Sequence, residues 1–136
     1  MPERSALVLL AHGSRDPEWA RPFTRLRERL AERLPDAPVE LAFVEHMKPD
    51  LAAVIASLGG RGVERVTLLP LFMAQGRHLR DELPRMVARA CADNPGVLVR
   101  TGPAVGEVES ILEAIVDWAV AEHERTGAAD LGHPLA

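Results

Sequence analysis

Three side chains in this sequence have types and spacing that could serve one chemistry: His12, Glu45 and His78, separated by 33 and 33 residues. Two imidazoles and a carboxylate can bind a borderline divalent metal and leave coordination positions open for a second ligand. The same groups can also accept protons near neutral pH. A spacing of about one strand plus one helix would return all three to one edge of a parallel sheet by topology alone, and open parallel sheets bind ligands at that edge. The plainer reading also stands: each histidine is a turn residue held by the backbone, and Glu45 is a solvated strand end.

The elements that must position these residues follow from the pattern of apolar residues. Ala6-Leu7-Val8-Leu9-Leu10-Ala11 is a short apolar run closed by His12-Gly13, which reads as a buried strand feeding a tight turn. Asp16-Pro17-Glu18 has the form of a helix start, with Asp16 as N-cap and Pro17 in the first position. Trp19, Phe23, Leu26, Leu30 and Leu34 then form one apolar stripe on a helix from about Glu18 to Leu34. A second strand covers Val39 to Val44, and a short helix follows from Leu51 to Leu58, stopped by Gly59-Gly60-Arg61-Gly62. The third strand falls at Arg65 to Leu69. An apolar, glycine-interrupted connection leads to His78, and a helix from Leu79 to Ala92 has an irregular first turn at Pro84. Val97 to Arg100 is a fourth strand, and Val108, Ile111, Leu112, Ile115, Val116, Ala119 and Val120 stripe a last helix. Alternating strands and helices with right-handed crossovers predict an α/β fold. The expected architecture is a flavodoxin-like, four-stranded parallel sheet in the order 2-1-3-4 with helices on both faces. Residues 1–125 are expected to form one domain and residues 126–136 a flexible tail.

Several neighbours of the three central residues have readings of their own. Ser14 and the amides around Gly13 face a helix start and could cradle an anion, with Arg15, Arg77 and Arg80 adding positive charge. For each arginine alone, an ordinary surface role fits equally. Leu71, Phe72 and Met73 precede Gly76 and His78 in the long connection and read as core, or as a wall for a flat ligand. His46 adjoins Glu45 and should point to the opposite face of its strand. His123 in the last helix and His133 in the tail lie away from this edge, and Cys91 reads as a small core residue.

Composition narrows the function classes. The 136 residues suit a single domain with a real core. A net charge of -4 leaves no basic excess for nucleic-acid phosphates. A single cysteine excludes an internal disulfide and a cysteine metal cluster. With no export-type apolar segment behind a basic start and no long apolar run, the chain reads as a cytoplasmic protein without membrane association.

Ala11-His12-Gly13-Ser14-Arg15, Phe43-Val44-Glu45, Pro70-Leu71-Phe72 and the stretch Gly76-Arg77-His78-Leu79-Arg80-Asp81-Glu82-Leu83-Pro84 resemble the sirohydrochlorin chelatases of the class II chelatase superfamily. The likeness runs from about Ala6 to Trp118. Its length is similar to the short, single-domain cobaltochelatases, which are homodimers standing in for two-domain relatives. Gln75-Gly76-Arg77 departs from the smaller or more apolar residues that often precede the histidine. The resemblance implies a lyase that inserts Co²⁺, or else Ni²⁺ or Fe²⁺, into sirohydrochlorin on the way to cobalamin- or sirohaem-type tetrapyrroles. The metal would be a substrate, with no tightly bound cofactor. His12 and His78 would be the principal metal ligands and proton acceptors, and Glu45 the third ligand. Gly13, Ser14, Arg15, Leu71, Phe72, Met73, Gly76 and Arg77 would contact the ring and its carboxylates.

Two other activities use the same residues. A non-catalytic metal or tetrapyrrole carrier would bind ring and metal without turnover. A phosphotransfer enzyme of the histidine phosphatase type also places His-Gly after its first strand, but it usually has arginine before that histidine, where this chain has Ala11.

Overall fold

A computed structural model describes residues 4–128 of the chain. Strands β1 (Ser5–Ala11), β2 (Val39–Phe43), β3 (Arg65–Pro70) and β4 (Leu98–Thr101) alternate with helices α1 (Arg21–Arg33), α2 (Leu51–Gly60), α3 (Arg77–Asp93) and α4 (Glu109–Ala128). The strands form one parallel sheet in the order β2-β1-β3-β4, the expected topology. β1 lies at the centre of this sheet, which explains its continuous apolar run: a strand covered on both faces has no polar alternation.

Alternation along the strands sorts the core into two layers. Val8 and Leu10 of β1, Ala42 of β2, and Val66 and Leu68 of β3 pack under Val54, Ile55 and Leu58 of α2 and Leu79 and Leu83 of α3. Leu9, Ala11, Leu41 and Phe43 face the other way, against Trp19, Phe23 and Leu30. Burying each large aliphatic side chain stabilises the fold by about 1.5–3 kcal/mol. The thicker layer under α2 and α3 therefore carries most of the packing energy. α1 has no buried residue, and its stripe leaves Leu26 and Leu34 on the rim.

Several boundaries differ from the pattern-based expectation, each for a local reason. Asp16 does cap a helical turn, accepting from the Glu18 amide at 3.0 Å. That turn is a 3-10 turn over Pro17–Ala20, and α1 starts only at Arg21, with Pro22 in its first positions. α2 continues through Gly60, and the left-handed stop is Gly62, at φ 87°. Asp50 caps α2 by accepting from the Ala53 amide at 2.9 Å. α3 begins at Arg77 with Gly76 as N-cap and passes through Pro84 without ending. His78 therefore lies in the first turn of a helix, not in a loop. Thr126, Gly127 and Ala128, expected in the tail, continue α4. His133 lies outside the described residues.

The last helix is the largest departure. No residue of α4 is buried, and it meets the rest of the chain chiefly at the 3-10 turn Val105–Glu107. Leu98 of β4, in register with Arg65 on the α1 side of the sheet, is 71% exposed.

Candidate active site

His12 follows the last residue of β1, and its turn is locked to the turn after β2. The Val44 amide donates to the Ala11 carbonyl at 2.9 Å, and the Glu45 amide to the His12 carbonyl at 2.9 Å. The parallel ladder thus extends past both strand ends and sets Glu45 beside Gly13. Gly13 has φ 99°, and a Cβ there would overlap the Glu45 carbonyl oxygen. Only glycine meets both demands. His12, Arg15 and Glu45 are all exposed at this edge.

Part of the cradle expected at Gly13 and Ser14 is used within the chain, on the side of the helix start. The Asp16 amide donates to Ser14 Oγ at 3.1 Å and the Glu18 amide to Asp16 Oδ1 at 3.0 Å. The helical turn that follows is four residues long, and a carboxylate sits at its start. Both effects disfavour an incoming anion. Positive charge at this edge comes instead from Arg15, Arg77 and Arg80.

The segment after Glu45 reverses sharply. His46 has φ 66°, and the Met47 amide donates to the Glu45 carbonyl at 2.8 Å, the pattern of a γ-turn with positive φ. The turn cancels the strand alternation that would have separated the two side chains. His46 Nε2 stands 3.9 Å from Glu45 Oε2, and both side chains are open to solvent. His46 is therefore a neighbour of the carboxylate.

The connection after β3 is held at both ends. The Leu71 amide donates to the Leu10 carbonyl at 2.8 Å. Phe72 is 2% exposed, and its ring lies under His12, with centroids 4.3 Å apart and planes at 38°. The Gly106 amide donates to the Phe72 carbonyl at 3.3 Å, and a Cβ at Gly106 would overlap the Met73 carbonyl oxygen. Leu71, Phe72 and Met73 do not form the single wall that their adjacency suggested. Leu71 joins the α1-side layer, Phe72 the opposite core layer, and Met73 alone is exposed. Gly106 was not singled out from the sequence, where nothing in its own stretch points to Met73.

His78 and Arg77 are exposed in the first turn of α3, whose strand, β3, neighbours β1. Arg80 Nη2 donates to the Gln75 carbonyl at 3.4 Å, which folds the connection back against the helix start. A cleft of about 570 Å³ opens beside this turn, lined by Met73, Gln75, Arg80, Ala104 and Glu107 among others. His12, Glu45 and His78 lie outside the lining of that cleft. Among the described residues, no three His, Cys, Asp or Glu side chains stand close enough together to hold a metal. The fold sets His12 just after β1, Glu45 just after β2, and His78 in the first turn of the helix that follows β3, with the three strands adjacent in the sheet. It does not close them into a ligand cage.

Comparison with known proteins gives this edge a context. The CbiX family model matches residues 6–121. The chain belongs to the CbiX family. A curated sirohydrochlorin cobaltochelatase of Methanosarcina barkeri is 28% identical over 65% of this chain and 68% of its own length. That of Saccharolobus solfataricus is 32% identical over 60% of this chain and 62% of its own length. A CbiX protein of Marinobacter aquaeolei VT8, provisionally assigned to cobalamin (vitamin B12) biosynthesis, superimposes with a TM-score of 0.80 at 36% identity, covering 89% of this chain and 98% of that one. The sirohydrochlorin chelatase SirB of Bacillus subtilis subspecies spizizenii, solved with cobalt, shares the fold at 22% identity and a TM-score of 0.68. This chain spans 49% of SirB.

Proposed function

We propose that this CbiX-family chain is a lyase that inserts a divalent metal into sirohydrochlorin, with Co²⁺ the first candidate and Ni²⁺ and Fe²⁺ the alternatives. The observation that supports the reading is that His12 and Glu45 directly follow adjacent strands β1 and β2, and His78 opens the helix that follows β3, the strand on the other side of β1. The cobaltochelatase relatives supply the substrate class. No helix among the described residues is long and apolar enough to cross a membrane. A chain with one cysteine suits a cytoplasmic setting.

Insertion exchanges two pyrrole N–H protons for one M²⁺, so the site must deliver a partly desolvated cation and remove two protons. His12, backed by Phe72 and fixed by its hydrogen-bonded turn, presents one imidazole in a set orientation. In this reading it binds the arriving metal. His78, on the first turn of α3, accepts a proton as the ring nitrogens take the ion. Glu45 supplies the negative charge that favours the cation and takes the second proton. Arg15 and Arg77 at the rim pair with the carboxylates of the ring. The shallow edge of a four-stranded sheet encloses little of a macrocycle. We therefore read the working unit as a homodimer in which two such edges share one cavity.

The test is an anaerobic insertion assay with sirohydrochlorin and each of the three metals, followed by the visible absorption of the ring. His78→Ala should lower the rate by at least about a hundredfold, the usual worth of a positioned proton acceptor, and His12→Ala should weaken metal binding and abolish insertion, while circular dichroism stays unchanged in both. Near wild-type insertion by both folded variants would refute this site. A carrier would bind ring and metal without accelerating insertion in the wild-type protein.

A further inference from the structure

We infer that His46 is a further metal-binding residue: with Glu45 it forms a two-ligand landing point that takes up the hydrated divalent cation before His12 and His78 receive it. The inference deepens the chelatase reading above and rests on it for the pair's role in the reaction.

The backbone makes the pair. β2 ends at Phe43, and the Phe43 amide donates to the Pro49 carbonyl at 2.9 Å, which closes residues 43–49 into a narrow loop. Glu45 and His46 stand exposed on that loop, while Met47 packs against the α1-side core layer and fixes which way the loop faces. The γ-turn at His46 then brings Nε2 to 3.9 Å from Glu45 Oε2. A φ of 66° is backbone that glycine or asparagine adopts most readily, so the turn alone does not call for an imidazole. Stability does not call for one either. Both side chains are open to solvent, where an ion pair adds little.

An imidazole nitrogen and a carboxylate oxygen together suit a borderline divalent cation such as Co²⁺, Ni²⁺ or Fe²⁺. Two donors each about 2.1 Å from one ion lie about 3.0–3.4 Å apart at octahedral or tetrahedral angles. The observed 3.9 Å closes to that range by a small rotation of either exposed side chain. Among the described residues no three His, Cys, Asp or Glu side chains form a ligand group, whereas Glu45 and His46 already stand within ion-pairing distance. Two protein ligands leave most of the ion's positions to water, so the ion is held weakly and released easily. A transit point needs that balance, and a resident metal site does not. The place also fits. The Glu45 amide donates to the His12 carbonyl at 2.9 Å, so the loop carrying the pair is bonded directly to the turn carrying His12. Glu45 is the shared member: it holds the ion with His46 and keeps hold as His12 enters the coordination sphere.

The test uses the full chain and Co²⁺ alone, followed by calorimetry, with circular dichroism to confirm folding. The double variant His12→Ala/His78→Ala, changed at two exposed positions, removes the other two imidazoles and should keep one weak site. Adding His46→Asn, which suits the left-handed turn, should weaken that site at least about tenfold. Unchanged affinity, or no binding by the folded double variant, would overturn the inference. In the otherwise unaltered chain, His46→Asn should raise KM for Co²⁺ about tenfold while kcat at saturating metal is retained. A fall in kcat with the metal KM intact would overturn the landing role. His46→Cys gives an independent readout, because a thiolate on the ion adds a near-ultraviolet charge-transfer band that the unaltered chain lacks. A missing band would count against the pair. If the wild-type chain binds Co²⁺ through His46 yet inserts none, the pair stands and the chelatase reading falls.

Discussion

Replacing Gly13 by alanine tests whether the close fit of the His12 turn against Glu45 organises the site. Two costs are separable. Alanine at φ 99° pays a left-handed penalty of about 1–2 kcal/mol. Stiffening of the unfolded chain offsets about 0.4–1 kcal/mol of that. The second cost is steric: the new Cβ must displace the Glu45 carbonyl oxygen, which accepts from Met47, along with the bond from Glu45 to His12. Losing both hydrogen bonds adds about 2 kcal/mol. The expected total is about 3 kcal/mol, which at a urea m-value of about 1.5 kcal/mol/M lowers the unfolding midpoint by about 2 M. Gly62→Ala is the internal control. Gly62 has φ 87°, but a Cβ there meets nothing within 4 Å, so only the conformational cost of about 1 kcal/mol applies. Both variants should be unfolded at one fixed protein concentration, because an oligomer's midpoint depends on it. Equal midpoint shifts for the two variants would refute the claim that contact with Glu45 is what Gly13 is selected for.

Three further outcomes follow from particular contacts. Phe72→Leu should cost no more than about 1.5 kcal/mol of stability, since it nearly conserves volume. It should lower the insertion rate disproportionately by removing the ring under His12, and a rate that tracks stability alone would count against that support. Asp50→Ala deletes the α2 cap and should lower Tm by about 3–5 °C, corresponding to about 1 kcal/mol, with insertion kinetics unchanged. Arg77→Ala should raise KM for sirohydrochlorin several-fold with little change in kcat, and the difference should shrink as salt is added, as measured by initial rates across ionic strength. A kcat defect with KM intact would move Arg77 from ring binding to chemistry.

What the sequence determined by itself is the scaffold and the addresses of the chemistry. The unbroken apolar run of β1 requires cover on both faces, and the regular strand–helix period returns His12, Glu45 and His78 to a common edge whatever the packing details. These are consequences of local patterning. The use made of each address was not local. Ser14 and Asp16 take up the amides of Asp16 and Glu18 at the helix start, a γ-turn at His46 swings its ring toward Glu45, and Gly13 and Gly106 meet carbonyl groups at Glu45 and Met73, each about 32–33 positions away in the chain. No pattern in one stretch encodes a partner supplied by another. α4 shows the limit most clearly. Its stripe of Ile111, Leu112, Ile115 and Val116 establishes that one side seeks an apolar surface, because burial drives amphipathic helices to pack. Periodicity is blind to which surface that is, and only the tertiary structure, in which the connection is tied down at Ala104 and Gly106, shows that α4 buries none of its residues against its own chain.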